Sequence, residues 1–461
     1  MCEADGCLRE TRTGRGFGVS PSLERLTCLS SGIPNKGLNQ IRRLAYRGSR
    51  DLRLLSFTVF CVSFGWGAYF STFNNFAVET LNLRADQLGM LESLREVPGF
   101  LMVFVAALMM RVAEPILGAI ALGLVALGIC GYSTVNSVPT LIVFSLVWSV
   151  GIHGWMPLSP SMTLSLAAEG RQGRRLGQMG SIGALGTICG MAMVFILAKV
   201  LHFSSIFVIS GTVVGIGAVA VSMISRDIGH KQKPRFVFRK RFSLYYLLVF
   251  LEGCRKQVFI TFAIFVLVRQ FGASLRTVAL LMIVNSVTNL ILAPRFGRLI
   301  DRIGEKKVLL VCYSLLIPVF IGYATVNSKL VMNALHGIDA MFAIDLTSCM
   351  LRYYTAGELT LGALCCLYFA DNLLFLGSIG LTTYLHKIAD PSDVMPSLAM
   401  GISVNHAAAV IVPVVGGLLW TRLGYQVTFY GGAGIVALSV LAVCRMRISA
   451  RGVISESPPP S

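Results

Sequence analysis

Charged residues are scarce in this 461-residue chain. Only 13% are Asp, Glu, Lys or Arg, about half the share of a soluble globular protein. With 55% of residues hydrophobic and a mean hydropathy of +0.72, too little polar surface remains to cover a water-soluble particle. Acidic residues are the scarcest of all, 22 against 40 Lys and Arg, which leaves a formal charge of +18. In a soluble protein that excess points to a nucleic-acid partner. Here the basic residues stand between apolar runs and read as topology signals, so no nucleic acid is expected. No two of the twelve cysteines have the CxxC spacing of a zinc site. Most of them, such as Cys61, Cys130, Cys189 and Cys254, lie inside apolar runs, where they pack as small apolar side chains. The sequences HExxH, Gly-x-Ser-x-Gly and Walker A are all missing, which speaks against a zinc peptidase, a serine hydrolase and an ATP-driven pump. The expectation is no enzyme activity, no cofactor and no metal.

What the chain has is long apolar runs. A helix needs about 20 apolar residues to cross the hydrocarbon core. Candidates lie near 54–77, 88–110, 114–133, 138–160, 178–200, 204–225, 244–268, 276–295, 307–326, 360–385, 396–420 and 425–444. The connections test this count. One side of the membrane would hold about 25 Lys and Arg and the other about 7, and the asymmetry alternates through every connection. Basic residues stay in the cytoplasm, so both termini are predicted to be cytoplasmic in a multi-pass protein of the plasma (inner) membrane. The longest basic connection, RDIGHKQKPRFVFRKR from Arg226 to Arg241, separates six spans from six. The expected fold is an all-α integral membrane protein with twelve transmembrane helices in two six-helix lobes. Residues 1–50 read as a polar, structureless cytoplasmic tail, 51–225 as the first lobe and 226–243 as a basic linker. Residues 244–445 read as the second lobe, with an extra outside segment at 327–359, and 446–461 as a cytoplasmic tail. A monomer in contact with lipid is expected.

From Gly297 the chain reads GRLIDRIGEKK. This resembles the cytoplasmic loop signature of the major facilitator superfamily at Gly297, Leu299, Asp301, Arg302, Gly304 and Lys306, with Glu305 in place of a basic residue. It falls between the eighth and ninth spans, where that family carries its second copy. The first-half counterpart, RVAEPILG from Arg111, lacks the Gly and the Asp-Arg pair. The segments EGCRKQVF at 252–259, DNLLF at 371–375 and NHAAAVIVPVVGGLLW at 405–420 are similar to an uncharacterised bacterial branch of the same superfamily. The resemblance spans roughly 51–445. It implies secondary active transport of a small-molecule substrate by two rocking lobes. A gating loop would be formed by Gly297, Asp301, Arg302, Gly304 and Lys306. Asp301 would be stabilised by a helix N-terminus or a basic neighbour, and the two glycines would allow close approach and a tight turn.

The strongest site signal is charge where charge is costly, about 2.5–3.5 kcal/mol for each Asp, Lys or Arg at the centre of a span on insertion scales. Glu92, Arg95 and Glu96 in the second span are spaced i, i+3, i+4, and Glu252, Arg255 and Lys256 repeat the pattern in the seventh, with Gln257 next. Each triplet shares one helix face. The two triplets lie in opposite lobes, where they would face a central cavity. The competing readings are local Glu–Arg pairing and snorkelling to the membrane surface. Further polar residues interrupt apolar spans: Asn74 and Asn75, His153, Asn285 and Asn289, Asp371 and Asn372, and Asn405 and His406. For a single Asn or His, plain interhelical packing competes with a role in transport. Asp371 has no basic neighbour in sequence.

A carboxylate removed from water is easier to protonate and can carry a proton. Glu252, Asp371, Glu92 and Glu96 are the candidates, with His406 and His153 as relays. Arg95, Arg255 and Lys256 suit an anionic solute. The expectation is a proton-coupled transporter, with an anionic solute as one option. The alternatives are an exporter of amphiphilic compounds and, in another class, a membrane sensor or scaffold. An even span count places both ends on one face. Tags at the two ends are therefore expected to be reachable only after permeabilisation of intact cells, and a tag exposed at one end alone would overturn the count.

Overall fold

The computed structural model describes residues 35–109, 112–167, 171–228, 239–328 and 356–446. All regular structure among them is helical. The first lobe comprises α1 (Asn35–Glu79), α2 (Ala85–Met109), α3 (Glu114–Gly131), α4 (Val138–Ser165), α5 (Gln172–Leu197) and α6 (Phe203–Ser222). The second comprises α7 (Ser243–Phe271), α8 (Leu275–Ile303), α9 (Glu305–Thr325), α10 (Ala356–Phe375), α11 (Ile379–Ile388), α12 (Pro391–Leu423) and α13 (Tyr425–Cys444). A 3-10 turn, Leu376–Ser378, joins α10 to α11 into a single crossing, so these thirteen helices make twelve crossings. Ten of the crossings contain a stretch long and apolar enough to cross a membrane. The other two, α2 and α7, are long enough, at 25 and 29 residues, but carry the charged triplets.

Helix boundaries follow local chemistry. Pro115 opens α3 and Pro391 opens α12, positions where a missing N–H costs nothing. The Ser274 hydroxyl accepts from the Thr277 N–H and caps α8. Gly304 (φ 86°) alone separates α8 from α9, and Gly424 (φ 92°) alone separates α12 from α13. Any side chain would be strained at such angles.

Lipid is as apolar as leucine, so helices inside a membrane associate through close packing and hydrogen bonds. Aromatic side chains supply much of the packing within each lobe. Tyr69, Phe73, Phe76, Tyr132, Trp148 and Phe207 interlock in the first, and Phe320, Tyr323 and Phe429 in the second. Between lobes the backbones themselves touch. A Cβ on Gly89 of α2 would lie 2.0 Å from the Pro413 carbonyl oxygen of α12, and one on Gly417 would lie 2.4 Å from that of Ala85. At the same end, Asn75 donates to the Ala273 carbonyl (2.9 Å), Arg269 bonds to Asn82, and Arg276 stacks over Phe195 (4.6 Å). At the far ends of α5 and α8, by contrast, Gly177, Gly180 and Gly297 have open space beside them. The described contacts between lobes therefore gather toward one end of the bundle.

Several boundaries are corrected. Helix α1 begins at Asn35, so residues 35–50 are helical where a structureless tail is expected; the Leu, Ala and Arg residues of QIRRLAYR favour a helix. Residues 1–34 and 447–461 lie outside the described residues, as do 229–238 of the linker and 329–355 of the outside segment. The end of the linker is ordered, with a 3-10 turn at Lys240–Phe242 and ion pairs from Arg239 to Asp393 (2.8 Å) and from Arg241 to Asp390 (2.9 Å). The gating loop shrinks to one residue. Gly297, Asp301 and Arg302 sit inside α8, and only Gly304 is a turn. Asp301 is exposed and makes no ion pair among the described residues. The tie at this corner comes from its neighbours: Lys306 donates to the carbonyls of Cys444 (2.7 Å) and Met446 (3.0 Å), and buried Glu305 pairs with Lys387 (2.7 Å). Gly297 makes no close helix approach.

Gly89→Ala is expected to cost about 1–3 kcal/mol through overpacking, read as a lower melting temperature in detergent. Gly297→Ala should be neutral or stabilising by up to about 1 kcal/mol. Equal losses in the two variants would show that the α2–α12 contact is not tight.

Candidate functional site

The charged triplet of α7 turns into the second lobe. Arg255 is 1% exposed and sits between two carboxylates. Its Nη2 donates to Glu252 Oε1 at 2.7 Å, one helical turn away. Its Nη1 donates to both oxygens of Asp371 on α10, at 3.0 and 3.1 Å. Asp371, 1% exposed, thus finds across the lobe the basic partner it lacks in sequence. With all three ionised, the cluster carries one net negative charge. The Phe375 ring lies 5.2 Å from the guanidinium.

Lys256, the next residue, points away from this cluster. It makes a long contact to Asn405 Oδ1 of α12 (3.4 Å) and has no carboxylate within 4 Å among the described residues. Gln257 is buried and bonds within α7 to Thr261 (3.3 Å), and Asn372 donates to the Tyr368 carbonyl (2.9 Å). Both are tied into their own helices.

A cavity of about 400 Å³ opens beside Arg255, Lys256, Asp371 and Asn372. The first lobe contributes Trp66 and Phe70 from α1 and Thr187 and Met191 from α5. The second contributes Phe259, Ile260 and Ile264 from α7, Met282, Asn285 and Ser286 from α8, and Tyr368 and Phe375 from α10. Phe259 stacks on Tyr368, with ring centroids 4.9 Å apart. All the formal charge on this wall comes from the second lobe. The aromatic members of the wall were missed in the sequence, since a lone aromatic in an apolar run carries no signal of its own; the nearest hint is Trp66 and Phe70 at i, i+4.

The α2 triplet is divided between two places. Arg95 points into the first lobe. It pairs with Glu92, donates to Tyr132 (3.0 Å) and Ser145 (3.3 Å), and lies 4.2 Å from the Phe73 ring centroid. Trp148 and Tyr69 complete the cage at 5.8 and 5.9 Å. Arg95 and Glu92 do not line the cavity. This corrects the expectation that the two triplets face each other, because the aromatic and hydroxyl groups of α1, α4 and the turn after α3 satisfy the guanidinium internally. Glu96 instead reaches the second lobe, where it pairs with His406 of α12 (2.8 Å). His153 of α4 stands next to both. Asn75 bonds to Glu79 and to the Ala273 carbonyl, both at 2.9 Å, and Asn74 is buried beside it. Asn75 therefore serves the contact between lobes and does not line the cavity.

The sequence pattern of the Major Facilitator Superfamily matches residues 55–356 and 245–459. No curated protein matches this sequence. Solved structures do. The crystal structure of the nucleoside transporter NupG aligns with a TM-score of 0.63 at 15% identity, covering 86% of this chain and 99% of that one. A bacterial homologue of the human lysosomal transporter Spinster, in an inward-facing and occupied conformation, gives 0.64 at 12% identity over 85% and 95%. The D-xylose–proton symporter gives 0.60 at 13% identity over 86% and 97%. At such identities the similarity establishes the twelve-helix, two-lobe fold.

Removing Arg255 would leave Glu252 and Asp371 buried without a counter-charge. Arg255→Met is expected to cost about 3–5 kcal/mol, measured by thermal unfolding in detergent. Adding Glu252→Gln and Asp371→Asn should restore most of that loss. A fully stable single variant would mean that the cluster is hydrated.

Proposed function

The chain belongs to the major facilitator superfamily, and from that premise we propose that the cavity between its lobes binds a small amphiphilic anion. The protein is a multi-pass membrane transporter of small solutes working by alternating access, with no catalytic role. The finer reading rests on one observation: of the three intramembrane cations, only Lys256 has no carboxylate partner among the described residues. Arg95 and Arg255 are already engaged. A lysine ammonium at the edge of a largely apolar cavity is a point charge awaiting an anion. The rings of Trp66, Phe70, Phe259 and Phe375 and the side chain of Met191 offer an apolar surface for the rest of the solute. That wall equally suits the export of amphiphilic compounds, so both directions of transport share one site.

Coupling to protons is assigned to the Glu252–Arg255–Asp371 cluster. Protonating either carboxylate removes its surplus negative charge and loosens its hold on Arg255, which borders the cavity. The membrane orientation follows the basic residues. Both termini and the ends of α5 and α8 near Gly177 and Gly297 face the cytoplasm of the plasma membrane. In this conformation the lobes touch toward the outer end. Transport then requires the Gly89–Gly417 contact to part and the cytoplasmic ends to close.

The test uses the purified protein in proteoliposomes with an imposed pH gradient and a panel of labelled small carboxylates carrying an aromatic or alkyl group. Lys256→Gln is expected to lower uptake of a transported anion at least about tenfold, the equivalent of one lost interaction of about 1.4 kcal/mol. Glu252→Gln and Asp371→Asn should keep solute exchange and lose the response to the gradient. Gradient-driven flux unchanged in these two variants would remove the cluster from coupling. Unchanged anion uptake in Lys256→Gln would remove the anion anchor.

A further inference from the structure

Away from the cavity, three potential metal ligands from both lobes converge. Glu96 lies on α2, His153 on α4 and His406 on α12, and one ligand atom from each lies within 4.8 Å of the others. His406 Nδ1 is 2.8 Å from Glu96 Oε2, and His153 Nε2 is 3.9 Å from the same oxygen. The two imidazole rings stand edge to face with centroids 5.5 Å apart. The sequence carries no zinc spacing and raised no expectation of a metal, since these three residues lie far apart along the chain.

Two observations go beyond proximity. His153 Nδ1 faces the Ser149 carbonyl at 2.9 Å. A carbonyl only accepts, so Nδ1 carries a proton, and in the neutral ring Nε2 turns a lone pair toward Glu96. Metal-binding histidines are oriented by this same kind of second hydrogen bond. A lone pair and a carboxylate oxygen aimed at one another at 3.9 Å favour a cation between them. The site is also enclosed on its third side by a residue without a side chain: a Cβ on Gly99 would lie 2.5 Å from His153 Nε2 and 3.1 Å from His406 Cε1. The backbone of α2 thus approaches both rings one turn beyond Glu96.

We propose that Glu96, His153 and His406 bind one divalent first-row transition-metal ion of the zinc type across the two lobes. Imidazole nitrogen and carboxylate oxygen bind such ions at about 2.0–2.2 Å, which puts tetrahedral ligands about 3.4 Å apart. The 2.8 and 3.9 Å separations bracket that spacing, so small side-chain adjustments close the site. Binding replaces the direct His406–Glu96 hydrogen bond by two metal bonds. The three ligands are partly exposed, which leaves a fourth position for water or another ligand. Lys256 on α7 is a positive charge close enough to act on Glu96 and repels a bound cation, so binding is weaker than at a closed structural site. Because α12 belongs to the second lobe and α2 and α4 to the first, the ion clips the lobes together and favours the conformation in which the three ligands meet.

The test uses the full-length protein, purified in detergent and stripped with chelator, titrated calorimetrically with Zn²⁺ and, separately, with Mg²⁺. One equivalent of Zn²⁺ is expected, with no response to Mg²⁺. His153→Ala and His406→Ala should each weaken binding by more than the about 10–100-fold that loss of an outer-shell partner costs. His202→Ala, outside the cluster, should bind as the unaltered protein does. The melting temperature should rise with Zn²⁺ in the unaltered protein and not in Glu96→Gln/His406→Gln, a pair of conservative changes that covers the case in which an alanine variant misfolds. Absence of stoichiometric Zn²⁺ binding to folded protein overturns the proposal and leaves a plain His–Glu hydrogen bond. Undiminished binding in His406→Ala overturns it as well.

Discussion

A guanidinium held between two carboxylates in a nearly dry lobe sets the terms for the rest of this molecule. Taking Glu252, Arg255 and Asp371 out of water costs several kcal/mol per ion, which mutual attraction offsets only when the geometry is good. Here Arg255 makes three hydrogen bonds at 2.7–3.1 Å to the two carboxylates. The geometry binds α7 to α10 and fixes the cavity wall that these helices share. It also commits Arg255, so that Lys256, one residue on, is the cavity-lining cation with no carboxylate within 4 Å among the described residues. The cluster lies wholly within the second lobe and travels with it when the lobes rock. Its interactions need not break for access to alternate.

The first lobe handles its own charge differently. Arg95 is met by Glu92, two hydroxyls and three aromatic rings. The result is a neutralised strut that braces α2 against α3 and α4 through Tyr132 and Ser145. With α2 braced, Glu96 is held toward α12 and Gly89 is held against Pro413. Each lobe is thus stiffened by a buried arginine, and only one of the two arginines borders the cavity.

Much of the architecture was legible in the sequence because it rests on local signals. Apolar runs of membrane length, basic residues alternating between sides and glycines at sharp turns all act within a few residues. The i, i+3 pairing of Glu252 with Arg255 and of Glu92 with Arg95 was legible for the same reason. The partners that decide the site were not. Asp371 lies 116 positions from Arg255 and Glu96 lies 310 from His406, and nothing in either neighbourhood announces the match. The direction of Arg95 was also hidden, since helix spacing states which residues share a face but not which neighbour that face meets. The expected loop latch at Asp301 yielded to Glu305 and Lys306 because α8 continues to Ile303 and leaves Gly304 as the whole connection.

The hydrogen bonds that join Asn75 to Ala273 and Asn82 to Arg269 are few, and both ends of the second are exposed. Bonds of this kind contribute about 0.5–3 kcal/mol each. Separating that end therefore costs an amount that thermal fluctuation supplies often, on the microsecond-to-millisecond timescale of domain motions. The backbone contact at Gly89 and Gly417 adds fit without adding a strong bond. Beside the Glu96–His406 pair, these contacts join the lobes more lightly than each lobe is braced within itself. Substitutions at Asn82 would tune the speed of the cycle while leaving untouched what the protein chooses to carry.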